Sequence, residues 1–391
     1  MHNHCINKLL DLKDVIVKKV SHADHSVKIY LETKPSEQIC PSCGNKTIRV
    51  HDYRQQQIKD LAFQQKATYL VLRKRRYACS CGKRFYEHYS FLPKYHQRTL
   101  RLSYKVLDTF RNISSIKSVA ESTNLSASTV SRILDSLSYT KPSLPTCLSI
   151  DEFKGNTVAG KYQCILVDGK KRSILDILPD RSQAHLCDYF RSYSSRERYQ
   201  VRFFVCDMWK PYVDLAEIFF PYAKVIIDKY HFIRQITWAI ESVRKRLQKT
   251  MVASLRKYYK RSHKLILTRY HKLSEENKKA CDLMLLYNDD LRAAHHLKEW
   301  FYEICQSRKY SYQRVALWDW IKSAECCGIK EFEKCAQTLR TWSKYILNAF
   351  KYGHTNGPTE GYNNKIKVIK RVSFGVRNFN RFRIRILHSS N

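Results

Sequence analysis

The segment CLSIDEF, residues 147–153, decides the fold, because it is the first of five apolar, β-prone runs in series. The other four are YQCILVDG (162–169), SILDILP (173–179), VRFFVCDMW (201–209) and AKVIIDKYHF (223–232). Helical patterns follow the third and fourth runs, in AHLCDYFRSY (184–193) and PYVDLAEIFF (211–220). Three strands, a helix, a strand, a helix and a strand are typical of an α/β domain. The two prolines of TKPSLPT (140–146) mark where this domain begins.

Two of these runs carry a carboxylate in or just after the apolar stretch, Asp151 in the first and Asp207 in the fourth. A carboxylate at such a position is costly unless a cation offsets it, although both acids could also be turn residues past the strand ends. A third candidate is Glu360, in GPTEGYNNKIKVIKR (357–371), which is the only acidic residue after Glu333. Oxygen ligands suit Mg²⁺ or Mn²⁺. Two such ions about 3.5–4 Å apart can clamp the attacking and leaving oxygens of an in-line phosphoryl transfer.

The charge of the chain indicates a polyanionic partner. Lys and Arg number 71 against 35 Asp and Glu, which gives a formal net charge of +36. Nucleic acid and anionic membrane are the common polyanions. No apolar run approaches the roughly 18 residues of a spanning helix, and the N-terminus lacks the apolar core of a secretory signal. We therefore expect nucleic acid as the partner and no membrane.

Two cysteine pairs predict a structural zinc site. Cys40 and Cys43 form C-x-x-C, Cys79 and Cys81 form C-x-C, and a glycine follows each pair. Two pairs on two turns, separated by a strand-like segment, describe a zinc ribbon with four thiolate ligands, although unrelated buried cysteines remain the alternative. The 14 cysteines otherwise fit a reducing cytoplasm, with the other thiols buried as small apolar residues.

The segment SIKSVAESTNLSASTVSRILDSL (115–137) predicts a helix-turn-helix. Its apolar residues recur at steps of three and four, and Asn124-Leu125 interrupts them before Ser126, a residue able to cap the second helix. That second helix would present Ser128, Thr129 and Arg132 to a DNA groove. An ordinary pair of packed helices has the same pattern, and the net charge favours DNA binding. Residues 235–350 then read as almost wholly helical.

The order of these motifs, with SIDEF, CDMW, DKYHF and GPTEGYNNKIKVIKR, resembles a bacterial insertion-sequence transposase of the ISL-three family of DDE transposases. The resemblance implies that Asp151, Asp207 and Glu360 form the metal-binding triad of an RNase H-like catalytic domain. It implies that the helical block is an insertion within that domain. It also implies that His231, in a D-x-x-H signature with Asp228, lies close to the active site. A core histidine is the alternative for His231.

The predicted fold class is multidomain α/β, with a zinc ribbon, a helix-turn-helix and an RNase H-like domain interrupted by an all-helical insertion. The predicted boundaries are 1–38 for an N-terminal appendage, 39–95 for the ribbon, 96–140 for the helix-turn-helix, 146–234 and 351–391 for the catalytic domain, and 235–350 for the insertion. Lys367 lies two helical turns after Glu360, where the resemblance implies a contact with terminal DNA. The full set of expected DNA contacts is Arg73, Arg75, Arg76, Ser128, Thr129, Arg132, Lys365, Lys367, Lys370 and Arg371.

The predicted function is binding of the terminal inverted repeats of an insertion sequence, followed by Mg²⁺- or Mn²⁺-dependent DNA cleavage and strand transfer. Zn²⁺ is the expected structural cofactor and two Mg²⁺ ions are the expected catalytic cofactors. A homodimer is expected when two ends are paired, in a bacterial cytoplasm and in association with the nucleoid. The alternatives are a catalytically inactive DNA-binding regulator derived from a transposase, and an RNase H-like nuclease without strand transfer.

Overall fold

The computed structural model describes residue 6 and residues 8–261 and 263–390. The chain divides into two compact units, of which the first comprises residues 1–140 and 366–391 and the second comprises residues 141–365. No helix in the described ranges is both long and apolar enough to span a bilayer.

The first unit contains a five-stranded sheet. Its strands are β1 (Val15–His22), β2 (Ser26–Thr33), β5 (Val50–Phe63), β6 (Lys66–Ala78) and β7 (Arg84–Tyr86). Strand β2 pairs in parallel with β6, and the order is β1-β2-β6-β5, with β7 also paired to β6. Inward residues alternate with outward ones, so that Val27, Ile29 and Leu31 are buried between exposed or half-exposed neighbours. The sheet crosses the predicted boundary at residue 38. The short strands β3 (Gln38–Ile39) and β4 (Lys46–Thr47) pair with each other outside this sheet.

The described helices of the first unit include α1 (Leu100–Arg111), α2 (Ile116–Ser122), α3 (Ala127–Asp135) and α15 (Phe379–Ser390). Ser115 caps α2 and Ser126 caps α3, as the sequence pattern predicted for Ser126. Asn124 has a φ of 51°, which makes the tight turn between α2 and α3. Ile384 of α15 packs against the apolar cluster of α1–α3, which contains Val106, Phe110, Val119, Ala120, Val130, Ile133 and Leu134.

The second unit contains a five-stranded sheet of order β10-β9-β8-β11-β12. The first three strands are antiparallel to one another, whereas β11 is parallel to both β8 and β12. The elements are β8 (Cys147–Thr157), β9 (Gly160–Asp168), β10 (Ser173–Leu178), α4 (Gln183–Arg191), α5 (Ser195–Gln200), β11 (Phe203–Cys206), α6 (Lys210–Phe219) and β12 (Lys224–Ile227). This order confirms the predicted α/β fold class, in which parallel strands are joined through helices.

A helical block follows the sheet. It begins with α7 (Lys229–Gln248) and ends with α13 (Lys330–Tyr352), where Gly353 adopts the left-handed conformation of a helix stop. Between these two lie α8 (Ala253–Arg261), α9 (His263–Leu267), a 3₁₀ turn (Tyr270–Lys272), α10 (Glu275–Leu286), α11 (Asp289–Gln306) and α12 (Tyr310–Glu325). Helix α14 (Gly357–Val372) comes next and places Glu360 in its first turn.

Candidate active site

Three aspartates lie at equivalent positions on the three parallel strands of the second unit. Val205 of β11 pairs with Ser149 of β8, and Asp207 and Asp151 each lie two residues further along. Cys206 of β11 pairs with Ile227 of β12, and Asp207 and Asp228 are the next residues of their chains, so that these two aspartates are also level with each other. Carboxyl ends of parallel strands meet at one edge of a sheet, which is where α/β proteins place their sites.

Asp151 is held by two hydrogen bonds and is largely buried. Its Oδ1 accepts from the backbone amide of Glu152 at 2.7 Å, and its Oδ2 accepts from Nδ2 of Asn363 at 2.8 Å. Burial, and then the negative charge of Asp207, raise the pKa of Asp151 to about 7. Two carboxylates are therefore close enough here to oppose each other's ionisation.

Asp207 contacts the histidine of the D-x-x-H signature. Nε2 of His231 lies 2.8 Å from Oδ1 of Asp207, and both side chains are less than one-fifth exposed. Oδ1 is enclosed by protein and accepts no hydrogen bond of good geometry. Two neighbouring carboxylates that share one adjacent histidine, with an enclosed oxygen on Asp207, are an arrangement that fits a divalent cation.

Asp228, by contrast, is a structural residue. It caps helix α7 by accepting from the amide of Tyr230, and its Oδ2 accepts from the backbone amide of Asn356 at 2.6 Å. The side chain of Asn356 donates in turn to the carbonyl of Ile150 at 3.2 Å. These bonds fasten the start of helix α14 to the edge of the sheet where Asp151 lies.

Glu360 is exposed on the first turn of helix α14, and Asn363, one turn later on the same helix, contacts Asp151. In the described residues, the three predicted carboxylates are not all within 4.8 Å of one another. The structure therefore brings Asp151, Asp207 and His231 together and holds the helix of Glu360 beside them through Asn363 and Asn356. Neither asparagine stood out in the sequence. The signal for Asn363 was its position one helical turn after the only acid of a basic segment.

The other acids near the strand ends have local partners. Glu152 pairs with Arg181, whose guanidinium lies 5.2 Å from the ring of Trp209. Asp168 accepts from two backbone amides of its own turn, and Asp176 accepts from the hydroxyl of Tyr189. Asp180 caps the turn before α4 and pairs with His185. Asp168, Asp176 and Asp180 therefore each have a local partner within the sheet or its turns.

The four predicted cysteines form one cluster in the first unit. Their sulfur atoms all lie within 4.8 Å of one another, with 3.7 Å between Cys40 and Cys81 and 3.5 Å between Cys43 and Cys79. Four sulfurs about 2.3 Å from a tetrahedral Zn²⁺ are about 3.8 Å apart. A hydrogen bond from the backbone amide of Cys81 lowers the pKa of Cys79 to about 6, which favours the thiolate that zinc requires.

Glycines allow both turns of the zinc site. Gly44 has a φ of 75° and Gly82 a φ of 85°, and each follows directly after a cysteine ligand. Side chains other than glycine are strained in this conformation. The amide of Gly82 donates to the carbonyl of Cys79, which closes the turn of the shorter C-x-C pair. The four cysteines thus form a complete ligand set, although Cys79 and Cys81 are separated by one residue and the usual pair is separated by two.

The predicted DNA contacts lie in different environments. Ser128 and Arg132 are exposed on α3, and Thr129 is half-buried between them. Arg73 is exposed and Arg76 partly so, but the side chain of Arg75 is 4% exposed and contacts Glu32, Glu87 and Thr33. A guanidinium enclosed in this way already pairs with internal acids and is not exposed to a phosphate. The predicted contacts on helix α14 alternate between exposed and half-buried, with Lys367 and Arg371 exposed and Lys365 and Lys370 half-buried.

Comparison with known families agrees with this arrangement. Residues 148–386 match the ISL3 family described as "Transposase", residues 36–81 match the zinc-finger of transposase IS204/IS1001/IS1096/IS1165, and residues 87–138 match the helix-turn-helix domain of transposase family ISL3. The first match alone covers more than half of the chain. The chain belongs to the ISL3 transposase family. A DNA-binding helix-turn-helix, a zinc ribbon with structural Zn²⁺ and a DNA-acting enzyme follow from this membership and from the cysteine cluster.

One relative aligns with this transposase family member over almost its whole length. The transposase for insertion sequence element IS1001 of Bordetella parapertussis is 26% identical over 378 residues, which are 92% of this chain and 91% of that protein. A protein of Lactococcus lactis subsp. lactis described as an ATP-dependent protease is 46% identical over 52 residues only, 12% of this chain and 17% of that protein. So short a match has no bearing on the activity of the whole chain.

Proposed function

We propose that this chain binds the terminal inverted repeats of its own insertion sequence, cleaves the DNA there and joins the ends to a target DNA. The catalytic metal ligands are Asp151, Asp207 and Glu360, and the ions are Mg²⁺ or Mn²⁺. The observation that carries the proposal is the pair of carboxylates at aligned positions of β8 and β11, Asp151 and Asp207, where the pKa of Asp151 is raised to about 7 by burial and by Asp207. A divalent cation bound there would polarise phosphoryl oxygens and lower the pKa of a bound water.

The neighbouring residues position these ligands. Asn363 fixes the rotamer of Asp151 through its 2.8 Å hydrogen bond, and His231 contacts Oδ1 of Asp207 at 2.8 Å. Asp228 and Asn356 fix the first residues of helix α14, so that Glu360 starts its helix beside the sheet edge. Glu360 is exposed, which leaves its carboxylate free to turn towards the aspartates when DNA and metal bind.

The basic residues hold the DNA in this proposal. Ser128, Thr129 and Arg132 of α3 read the terminal repeat, and Arg73 and Arg76 of β6 contact phosphates nearby. On helix α14 the phosphate contacts are Lys365, Lys367, Lys370 and Arg371. Each end needs a protomer, and a homodimer is therefore the expected unit when two ends are joined.

The test is an in vitro reaction with duplexes taken from the DNA that flanks the gene, a supercoiled target plasmid and Mg²⁺. The wild type should nick the duplex at the end of the repeat and then join its 3′-hydroxyl to the plasmid. Asp207→Asn and Glu360→Gln should each lose cleavage by a factor of at least about 10³, because removal of a metal ligand removes the charge stabilisation of the transition state. Asp319→Asn and Glu303→Gln, at exposed acids of the helical block, are the matched controls.

Three outcomes decide between this function and its alternatives. Binding of the duplex without any cleavage by the wild type would indicate a DNA-binding regulator. Cleaved ends that never join the plasmid would indicate a nuclease without strand transfer. Strand transfer by Asp207→Asn at the wild-type rate would show that the assigned ligands are wrong.

A further inference from the structure

The outward side of the sheet in the first unit is polar and basic, and of its residues only Arg73 has a role in the function proposed above. Inward residues of β1, β2, β5 and β6 form an apolar core that includes Val17, Val27, Ile29, Leu31, Ile58, Leu70 and Leu72. The residues that alternate with them point to the other side. We define the outer sheet face as Lys19, Lys28, Tyr30, Gln55, Gln57, Lys59, Tyr69, Val71 and Arg73.

The strand registers place these residues in rows across the sheet. Gln55 lies opposite Arg73, Gln57 opposite Val71 and Lys59 opposite Tyr69. Across the next pairings, Tyr69 lies opposite Lys28 and Val71 opposite Tyr30, which in turn lies opposite Lys19. Opposed residues share one face of a sheet, so that these side chains form a single surface.

The charge of the outer sheet face is positive. Lys19, Lys28 and Arg73 are exposed, and the acid nearest to them in the registers is Glu32 at the end of β2. The side chain of Glu32 is 13% exposed and already pairs with Lys18 at 2.9 Å and with Arg73 at 3.4 Å. A polyanion approaching this face therefore meets cations and no unpaired carboxylate.

The outer sheet face is fastened to the helix-turn-helix within the same unit. Nζ of Lys59 donates to the carbonyl of Asn124 at 2.5 Å, and the amide of Asn124 donates to the hydroxyl of Tyr69 at 3.0 Å. Asn124 is the turn residue between α2 and α3. These bonds fix the position of helix α3 relative to the outer sheet face. A DNA duplex bound to helix α3 would therefore extend along the outer sheet face.

A polar groove lies between the outer sheet face and the start of helix α3. It has a volume of about 540 Å³, and its lining includes Gln55, Gln57 and Lys59 from the edge strand β5, Arg98 from the connection, and Ser126 and Thr129 at the start of α3. In the described part of the chain, the side-chain amides of Gln55 and Gln57 are exposed and have no hydrogen-bond partner. Burial, and then the charge of Arg132, lower the pKa of Arg98, so that two cations lie close together at the recognition helix.

The spacing of the strand matches that of DNA. Alternate residues of an extended strand lie about 6.8 Å apart, since each residue rises about 3.4 Å. This is twice the spacing of about 3.4 Å between nucleotides along one DNA strand. Glutamine amides bond both edge groups of adenine in the major groove, and lysine and arginine bind phosphates without regard to sequence.

We propose that the outer sheet face is a second DNA-contacting surface, which binds duplex DNA directly beside the segment read by helix α3. Gln55 and Gln57 contact base edges there, and Lys19, Lys28 and Arg73 contact phosphates. The inference rests on the DNA-binding part of the proposed function and is independent of cleavage. By this inference the sheet of the first unit helps to select the sequence of the transposon end, in addition to supporting the zinc site.

The experiment uses the full-length zinc-loaded chain and a library of random 40-bp duplexes in buffer without Mg²⁺, so that only binding is measured. The wild type should select two adjacent blocks of preferred bases. Gln55→Ala/Gln57→Ala should lose the preference in one block and bind the best wild-type sequence about 5- to 150-fold more weakly. Thr129→Ala should weaken the other block, and Gln337→Ala, at an exposed helix position, should change neither.

The phosphate contacts have a separate readout. Lys19→Gln and Lys28→Gln should each reduce the slope of log K against log salt by about 0.9 without changing the selected sequence. Lys334→Gln, an exposed lysine of α13, is the control and should leave the slope unchanged. Hydroxyl-radical footprinting of the wild type needs no variant and should protect DNA on both sides of the boundary between the blocks.

Two results would overturn the inference. One is a single block of selected bases that is the same in the wild type and in Gln55→Ala/Gln57→Ala, at equal affinity. The other is a footprint confined to the block that Thr129→Ala weakens. Failure of the DNA cleavage assay would reject the catalytic proposal and would leave these binding results standing.

Discussion

Asn363 donates a 2.8 Å hydrogen bond to Oδ2 of Asp151, although 212 residues separate the two in the chain. Asn363 lies on helix α14, one turn after Glu360, and Asp151 lies on the first strand of the sheet in the second unit. The bond therefore joins the element that carries the third candidate ligand to the element that carries the first. Oδ1 of Asp151 accepts instead from the backbone amide of Glu152, so that each carboxylate oxygen has its own donor.

Replacement of Asn363 by alanine should weaken catalysis more than DNA binding. The substitution frees the Asp151 carboxylate to rotate, and loss of a residue that orients a metal ligand costs about 10- to 100-fold in metal affinity or activity. We expect Asn363→Ala to need about 10- to 100-fold more Mn²⁺ for half-maximal cleavage, with an unchanged Kd for the end duplex. A titration of cleavage rate against Mn²⁺ measures this directly.

Asn277→Ala is the matched control, since Asn277 is exposed on helix α10. A purely structural role for Asn363 predicts something else, namely a lower Tm with the same Mn²⁺ dependence in the protein that stays folded. That result would remove Asn363 from the proposed site.

Local pattern was enough to predict the strands, the helix-turn-helix and the cysteine ligands. The five apolar runs and the cap at Ser126 depend on neighbours in sequence, which a single chain displays. The parallel pairing of β2 with β6 and the bond from Asn363 to Asp151 depend on residues far apart. No periodicity encodes such a partner, and for this reason the outer sheet face and the asparagine were not predicted.

The burial of Arg75 shows a second limit. The run Arg73-Lys74-Arg75-Arg76 reads as one basic patch, but the acids Glu32 and Glu87 enclose Arg75, whereas Arg73 on the same side of the strand stays exposed. The sequence shows how many charges are present, and only the fold shows which of them have internal partners.

Loss of one zinc ligand should unfold the ribbon and leave the second unit intact. We expect wild-type protein to release about one Zn²⁺ per chain when its thiols are titrated, and Cys81→Ser to release much less, because three thiolates bind zinc weakly. The variant should also lose affinity for the end duplex, since the turn at Gly82 holds the end of β6. Cys326→Ser, at an exposed cysteine without a role in the cluster, should match the wild type in both assays. Equal zinc content in Cys81→Ser would contradict the assignment.

Arg385 of helix α15 should stabilise the helix-turn-helix. It is 4% exposed, donates to the carbonyl of Ser114 and to the hydroxyl of Ser373, and lies 5.4 Å from the ring of Phe110. Arg385→Ala leaves the Ser114 carbonyl without its donor, at a cost of about 1–3 kcal/mol. Hydrogen exchange of the α2 and α3 amides should therefore become faster, and exchange in the second unit should stay the same.

Arg377→Ala, at an exposed position before the same helix, serves as the control for Arg385→Ala. Equal exchange rates in the two variants would show that α15 does not support the DNA-binding helices. Faster exchange throughout the chain would show a global rather than a local effect.

The buried His295 should make the helical block sensitive to acid. It lies on α11, faces Lys298 and Glu299 of its own helix and Cys281 and Asp282 of α10, and has the exposed His296 as its neighbour. Burial, and then the charge of Lys298, lower the pKa of His295 from about 6.5 to about 4. As the pH falls, His295 therefore takes up a proton at a higher pH in the unfolded chain than in the folded chain. The contribution of the neutral His295 to the free energy of unfolding is present above pH 6.5 and is lost as the pH falls towards 4. The loss is on the order of 3 kcal/mol at its limit.

Urea unfolding at pH 7.5, 6.0 and 5.0 tests this, with the buried Trp320 near the same helices contributing to the fluorescence change. We expect the midpoint of the wild type to fall with pH more steeply than that of His295→Asn, which has no titrating group at this position. His296→Asn removes an exposed imidazole one residue away and should keep the wild-type slope. If His295→Asn and His296→Asn had the same pH dependence as the wild type, the neutral buried imidazole would not be a source of acid sensitivity, and the loss would have to come from other groups such as the paired carboxylates.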